Sequence, residues 1–111
     1  MILAIVDDLL FQSKIEAAAA QRGAPLTITT GANAMPRSGP PLRRVLIDLN
    51  LSHGDALAMI RNVRAAHPGV SIVGYCSHVQ RQLQQQARVA GCTTVLARSA
   101  FVQQLPEPLS S

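Results

Sequence analysis

The fold is decided by residues 43–48, which read RRVLID. The middle of this stretch, from Val45 to Ile47, is a continuous aliphatic run that ends directly in an acid. Such a run is typical of a strand that is buried on both faces of a parallel sheet. Solubility does not require a carboxylate at the end of a buried strand, so we interpret Asp48 as a candidate functional residue.

Four further runs of this kind alternate with amphipathic segments along the chain. We predict strands at residues 2–6, 26–30, 43–48, 70–75 and 94–97, and helices at 9–22, 56–66, 78–90 and 99–105. The segment 31–42 is rich in Gly and Pro, so we expect a loop or a remnant turn where a crossover helix would otherwise lie. The pattern predicts an α/β fold: one doubly wound, five-stranded parallel sheet of order 2-1-3-4-5, flavodoxin-like, with the second helix missing or reduced and the fifth helix short.

Composition excludes several classes of function. The chain has 111 residues, of which 48% are hydrophobic and 14% charged, so we expect one domain over residues 1–111 and exclude a multidomain enzyme. It contains no Trp, one Tyr and two Phe, which disfavours an aromatic platform for nucleic acid. The net charge of +4 comes from scattered Arg residues, which indicate a solvated surface and no specific nucleic-acid site. No apolar run is long enough to span a membrane, so we expect a cytoplasmic protein that makes no membrane contact.

Three carboxylates follow the first and third predicted strands. Asp7 and Asp8 come after the first strand, and Asp48 ends the third. In a sheet of order 2-1-3-4-5 the winding reverses between these two strands, and ligands bind at that switch point. Clustered carboxylates repel one another unless a cation joins them, and an all-oxygen site with few protein ligands suits Mg2+. The trio therefore predicts a Mg2+ site.

The neighbouring strand ends offer a hydroxyl or thiol and a cation. Ser77, or alternatively the thiol of Cys76, follows the fourth strand, and Arg98 follows the fifth. A carboxylate that attacks phosphorus, assisted by Mg2+ and by groups that contact the phosphoryl oxygens, describes an aspartyl-phosphate site. The first strand-to-helix junction lacks glycine, so neither a dinucleotide fingerprint nor a phosphate-cradling loop is present.

These motifs resemble the receiver domain of two-component response regulators. Residues 5–8 (IVDD) are similar to the acidic pair that helps to hold Mg2+ in that family, and residues 46–51 (LIDLNL) to its phosphoacceptor motif. The resemblance implies that Asp48 accepts a phosphoryl group and that Asp7, Asp8, Asp48 and the backbone carbonyl of Asn50 hold Mg2+. Where receivers carry Lys-Pro after the fifth strand, this chain has Arg98 followed by Ser, and the family's switch aromatic is replaced by Val95.

The resemblance implies a stand-alone receiver in phosphorelay signal transduction, and no enzyme beyond self-phosphorylation and autodephosphorylation. Its phosphoryl donor is expected to be a histidine kinase or a phosphotransfer protein. Its output is expected to be a change of protein partner. An exposed apolar flank beside the short last helix would suggest a homodimer. The alternative is a degenerate receiver, a phosphorylation-independent interaction module in which Arg98 is salt-bridged to Asp48. Whether Cys76 or Ser77 fills the hydroxyl position stays open.

Overall fold

The strands of the chain form one parallel sheet. In the computed structural model, which describes residues 2–23, 25–29, 42–51 and 55–104, the strand order is β2-β1-β3-β4-β5. The strands are β1 (Ile2–Ile5), β2 (Leu26–Thr29), β3 (Arg44–Asp48), β4 (Ser71–Cys76) and β5 (Thr94–Ala97). Because β1 lies between β2 and β3, the winding of the sheet reverses beside β1, as the sequence predicts.

Four helices are described: α1 (Leu9–Arg22), α2 (Ala56–Ala66), α3 (Arg81–Ala90) and α4 (Arg98–Gln104). Carboxylates begin two of them, since Asp8 accepts backbone N–H bonds at the start of α1 and Asp55 does so for α2. Gly23 ends α1 in the left-handed conformation at φ 61°, which a side chain would strain. None of the helices in the described ranges has the length and apolar character needed to cross a bilayer.

The sheet separates two apolar cores. Side chains of α2 and α3, among them Ile60, Val63 and Ala87, cover one face, and those of α1 and α4, among them Ile15 and Phe101, cover the other. Successive side chains of β4 alternate between the two faces of the sheet. Ile72 and Cys76 point toward α2 and α3. Val73 and Tyr75 point toward α1 and α4. Helices on both faces are the doubly wound arrangement, and the fold class predicted from the sequence is confirmed.

Arg64 of α2 hydrogen-bonds to several segments on the α2/α3 side of the sheet. Its guanidinium donates to the carbonyls of Pro68, Val70 and Gly91 at 2.7–3.1 Å and to Thr93 Oγ1 at 3.2 Å. One planar cation thus joins the end of α2 to the start of β4 and to the turn that follows α3.

Several strand and helix boundaries in the structure differ from those predicted from the sequence. Strand β4 begins and ends one residue later than predicted, because Val70 donates its N–H to the turn carbonyl of His67 and the pairing with β3 begins at Ser71. The helix predicted at 78–90 begins only at Arg81, because Gln80 N–H closes a turn on the Ser77 carbonyl at 3.1 Å. The predicted loop at 31–42 lies outside the described residues except for Leu42, and so does the end of the helix predicted at 99–105, so the reduced second helix and the short fifth helix stay predictions.

Candidate functional site

Asp48 is a buried acid at the carboxyl end of β3. Its residue is 4% exposed, and its Oδ1 accepts the backbone N–H of Asn50 at 2.9 Å. Burial raises the pKa of the Asp48 carboxyl, and the negative charges of Asp7 and Asp8 raise it further. The Asn50 hydrogen bond and the Arg98 charge act in the opposite direction without cancelling the effect of burial on this pKa.

Asp7 and Asp8 lie at the junction of β1 and α1, at the same edge of the sheet. Asp8 is exposed, and its Oδ1 accepts the N–H groups of Leu10 and Phe11 at 2.9 and 3.3 Å, so this acid caps α1. Asp7 is half-buried. The effect of both charges on the pKa of Asp48 places the three carboxylates within electrostatic range of one another.

The oxygen-only donor set at this edge fits the chemistry of Mg2+. Within the described ranges, however, no group of three or more His, Cys, Asp or Glu side chains is gathered closely enough to hold a metal ion. Forming such a group requires these carboxylates to come closer together than they are here, while Asp8 Oδ1 accepts from the α1 amides. The Mg2+ site formed by Asp7, Asp8, Asp48 and the Asn50 carbonyl therefore stays a prediction.

Arg98 brings a positive charge to Asp48. It is the first residue of α4, directly after β5, and its Nη2 lies 4.0 Å from Asp48 Oδ1, the outer limit of an ion pair. The guanidinium carbon lies 5.5 Å from the centre of the Phe11 ring, and the side chain is 44% exposed. The cation is therefore held over an aromatic face beside the carboxylate, without a close hydrogen bond to it.

The structure separates the two candidates for the hydroxyl position. Cys76 ends β4, is fully buried and belongs to the α2/α3 core, where burial raises the pKa of its thiol. Ser77 is half-buried just beyond the strand, and its Oγ accepts the Val79 N–H at 3.4 Å. Cys76 and Cys92 are both free thiols. Which of Cys76 and Ser77 contacts a phosphoryl group stays a prediction.

A cavity of about 590 Å³ opens between α1, α4 and the loop after β4. It is lined by Phe11, Ser77 and Arg98, by the basic side chains of Lys14 and His78, and by the α4 residues Ser99, Val102 and Gln103. Lys14 and Arg98 both lie within 6 Å of the Phe11 ring centre, at 5.8 and 5.5 Å. Of the predicted site residues, Ser77 and Arg98 line this cavity together, so its rim is basic where it adjoins Asp48.

A pair of amides that sequence reasoning missed ties the two loops of the site together. Asn50 Nδ2 donates to Gln80 Oε1, and Gln80 Nε2 donates to Asn50 Oδ1, each at 2.9 Å. Gln80 Oε1 also accepts the backbone N–H of Ser77 at 3.0 Å. The two residues are thirty positions apart, and no local pattern marks either of them.

The aromatic side chains of the chain form a single stack beside Asp48, which sequence reasoning also missed. Tyr75 lies between Phe11 and Phe101, with ring centres 4.9 and 4.3 Å away and planes tilted by 13° and 16°. These three residues are all the aromatic side chains in the sequence. Tyr75 is the Cα partner of Asp48 in the β3–β4 ladder, a neighbour that counting strand register from the sequence could have revealed.

Comparison with solved structures shows what this architecture resembles. The receiver domain of NtrX from Brucella abortus superposes with a TM-score of 0.81 at 17% identity, covering 94% of this chain and 90% of that domain. Against the longer NtrX structure the chain spans 26% of the NtrX chain. No protein-family model and no curated protein matches the sequence.

Two other solved structures are similar. A response regulator protein from Burkholderia pseudomallei, solved with a phosphorylated aspartic acid, a calcium ion and citrate, has a TM-score of 0.82 at 19% identity and covers 99% of this chain and 66% of that chain. The receiver domain of Ssk1 from Saccharomyces cerevisiae, solved in complex with the histidine phosphotransfer protein Ypd1, has a TM-score of 0.77 at 15% identity, covering 97% and 87%. The chain therefore has the fold of receiver domains, which confirms the predicted resemblance in architecture.

Proposed function

We propose that this chain is a phosphoacceptor receiver domain and that Asp48 takes the phosphoryl group. The observation that carries the proposal is the position of Asp48 in the receiver fold. It is a buried carboxylate at the winding reversal, with Arg98 on one side and the acidic pair Asp7 and Asp8 on the other. A buried acid with a raised pKa in this setting is typical of a functional site.

The proposed step is phosphoryl transfer from a phosphohistidine. A carboxylate oxygen of Asp48 donates an electron pair to phosphorus while the phosphorus–nitrogen bond breaks. That bond's electron pair goes to the ring nitrogen, and the donor imidazole, which carries a proton on its other nitrogen, leaves in the neutral form. Arg98 stabilises the phosphoryl oxygens by its charge and its planar set of N–H donors.

Mg2+ when bound would neutralise charge between the phosphoryl group and the carboxylates, and Asp7, Asp8, Asp48 and the Asn50 carbonyl are the oxygens that would hold it. The Asp7 and Asp8 carboxylates alone would repel the incoming phosphoryl group. We therefore expect phosphoryl uptake to require the cation and to stop in a chelator.

The proposed donor is a histidine kinase or a histidine phosphotransfer protein. The similar Ssk1 receiver domain, which was solved in complex with Ypd1, supports this choice of partner class. The exposed Leu9 and Leu10 in the first turn of α1, next to Asp7 and Asp8, supply apolar surface beside the site for such a partner.

A second candidate function is a phosphorylation-independent interaction module. The proximity of Arg98 to Asp48 favours this candidate, because the guanidinium already supplies positive charge to the carboxylate. On this alternative, replacing Asp48 leaves partner binding nearly intact, whereas on the leading proposal it abolishes the response to the donor.

The test is the intact mass of the chain after incubation with phosphoramidate, a small donor with a phosphorus–nitrogen bond, and Mg2+. Asp48→Asn and a chelator are the two controls. A gain of one phosphoryl group that disappears in both controls supports the phosphoacceptor. No gain in the unaltered chain rejects it and favours the interaction module.

A further inference from the structure

The hydroxyl group of Tyr75 is buried without a hydrogen-bond partner. The residue is 0% exposed, and its oxygen makes no hydrogen bond to any of the described residues. A buried hydroxyl without a partner loses the hydrogen bonds that it makes to water in the unfolded chain. Buried polar groups in folded proteins are nearly always satisfied, so this exception requires an explanation.

Packing alone does not account for the hydroxyl. The ring of Tyr75 is stacked between Phe11 and Phe101, and a phenylalanine would make the same ring contacts. The oxygen therefore adds a desolvation cost to this core without adding a hydrogen bond to the described residues. A role for the oxygen is to be sought in what it does when a ligand is present.

Two observations place Tyr75 beside Asp48 and within electrostatic range of its carboxylate. Tyr75 and Asp48 are directly paired in the β3–β4 ladder, and by strand alternation both point to the α1/α4 face. Among the charges that act on the pKa of Tyr75, Asp48 has the largest effect and Arg98 the next. Burial raises this pKa, so the phenol keeps its proton at neutral pH and is available as a donor.

Arg98 shares the same aromatic stack. Its guanidinium lies over Phe11, whose ring is stacked on Tyr75. The stack therefore includes two hydrogen-bond donors, the Arg98 cation and the neutral Tyr75 hydroxyl, and both belong to residues that lie beside Asp48. Neither donor makes a close hydrogen bond to the Asp48 carboxylate, since Arg98 stands 4.0 Å away and the hydroxyl is unpartnered.

We infer that the Tyr75 hydroxyl binds the phosphoryl group on Asp48, donating to a phosphoryl oxygen the hydrogen bond that it lacks in the unmodified chain. This inference rests on the proposed function of Asp48. A phosphoryl group on Asp48 adds strong acceptor oxygens beyond the carboxylate, and Tyr75 and Arg98 are both neighbours of this carboxylate.

The test uses beryllium trifluoride, on which a carboxylate oxygen replaces a bound water to give the shape of a phosphoryl group. Its binding to the full chain is measured with Mg2+ by fluorine NMR for the unaltered protein, Tyr75→Phe and Thr94→Val. Thr94 is exposed at the opposite end of the sheet, so its variant deletes a hydroxyl away from the site. Tyr75 is the only Tyr and the chain has no Trp, so the tyrosine absorption band in the near ultraviolet comes from this side chain alone.

The inference predicts that beryllium trifluoride shifts the tyrosine band to longer wavelength and that Tyr75→Phe weakens its binding about fivefold to tenfold. Thr94→Val should bind as the unaltered chain does, and Tyr75→Phe should melt no lower than the unaltered chain when no ligand is present. Equal binding by Tyr75→Phe, or an unshifted band on saturation, would overturn the role of Tyr75 and leave Asp48 as acceptor. Failure of the unaltered chain to bind would overturn the proposed function, and this inference with it.

Discussion

The Asn50–Gln80 amide pair is predicted to stabilise the two loops of the site, and a double-mutant cycle isolates its contribution. The perturbations are Gln80→Ala, Asn50→Ala and the double variant. Gln80→Ala removes two amide hydrogen bonds of 2.9 Å to Asn50 and one of 3.0 Å from the Ser77 N–H. Asn50→Ala removes only the two amide bonds and keeps the main-chain bond to Asp48.

The expected losses in the free energy of unfolding depend on how exposed the hydrogen-bonded groups are. Asn50 is exposed, so its amide recovers water when Gln80 is lost, whereas the Ser77 N–H is half-buried. At about 0.5–1.5 kcal/mol per net hydrogen bond, we expect Gln80→Ala to lower the free energy of unfolding by about 1–2 kcal/mol. Asn50→Ala should lower it by about 1 kcal/mol, and the coupling between the two should be about 1 kcal/mol.

The assay is urea unfolding of the four proteins, with Gln85→Ala as a matched control from the exposed face of α3. The control should change the free energy of unfolding by no more than about 0.5 kcal/mol. Losses that simply add in the double variant would show that the amide pair carries no coupling, and would refute the reasoning from these contacts.

Two further predictions concern Asp48 and Arg64. Because the folded state raises the pKa of Asp48 above its ordinary 3.8, the folded chain holds this proton more tightly, and stability falls as pH rises from that value through the folded pKa. Asp48→Asn should therefore raise the melting temperature at neutral pH and less so in acid; a lower melting temperature at neutral pH would contradict this sign. Arg64→Met leaves the carbonyls around the start of β4 without their donor and should cost about 2–4 kcal/mol in urea unfolding, whereas Arg61→Met, at an exposed position of the same helix, should cost little. Equal losses from the two arginine variants would show that these contacts contribute no stability.

Much of the fold could be predicted because local patterns encode it. The strands predicted at residues 2–6 and 43–48 contain the buried parallel strands β1 and β3, and the bounds predicted for α1, α2 and β5 agree with the structure. Once the strand order is known, the switch point follows from it. The sequence was therefore sufficient to predict that four charged residues share one edge of the sheet: Asp7, Asp8, Asp48 and Arg98.

The remaining features depend on contacts between distant residues. Gln80 is an ordinary polar residue until the fold brings Asn50 to it, and the stack of Phe11, Tyr75 and Phe101 joins three separate elements. The later start of α3 at Arg81 has a local cause, the turn that the Gln80 N–H closes on the Ser77 carbonyl. Hydrophobic periodicity carries no information about such pairings.

The central claim is that Asp48 is the nucleophile, and locating the phosphoryl group tests it most directly. After treatment with phosphoramidate and Mg2+, borohydride reduces an aspartyl phosphate to the alcohol homoserine, which peptide mass spectrometry assigns to a position. Our account predicts homoserine at position 48 in the unaltered chain and at no position in Asp48→Asn. Homoserine at position 7 or 8, or no reduction product in a chain that has gained a phosphoryl group, would contradict the account.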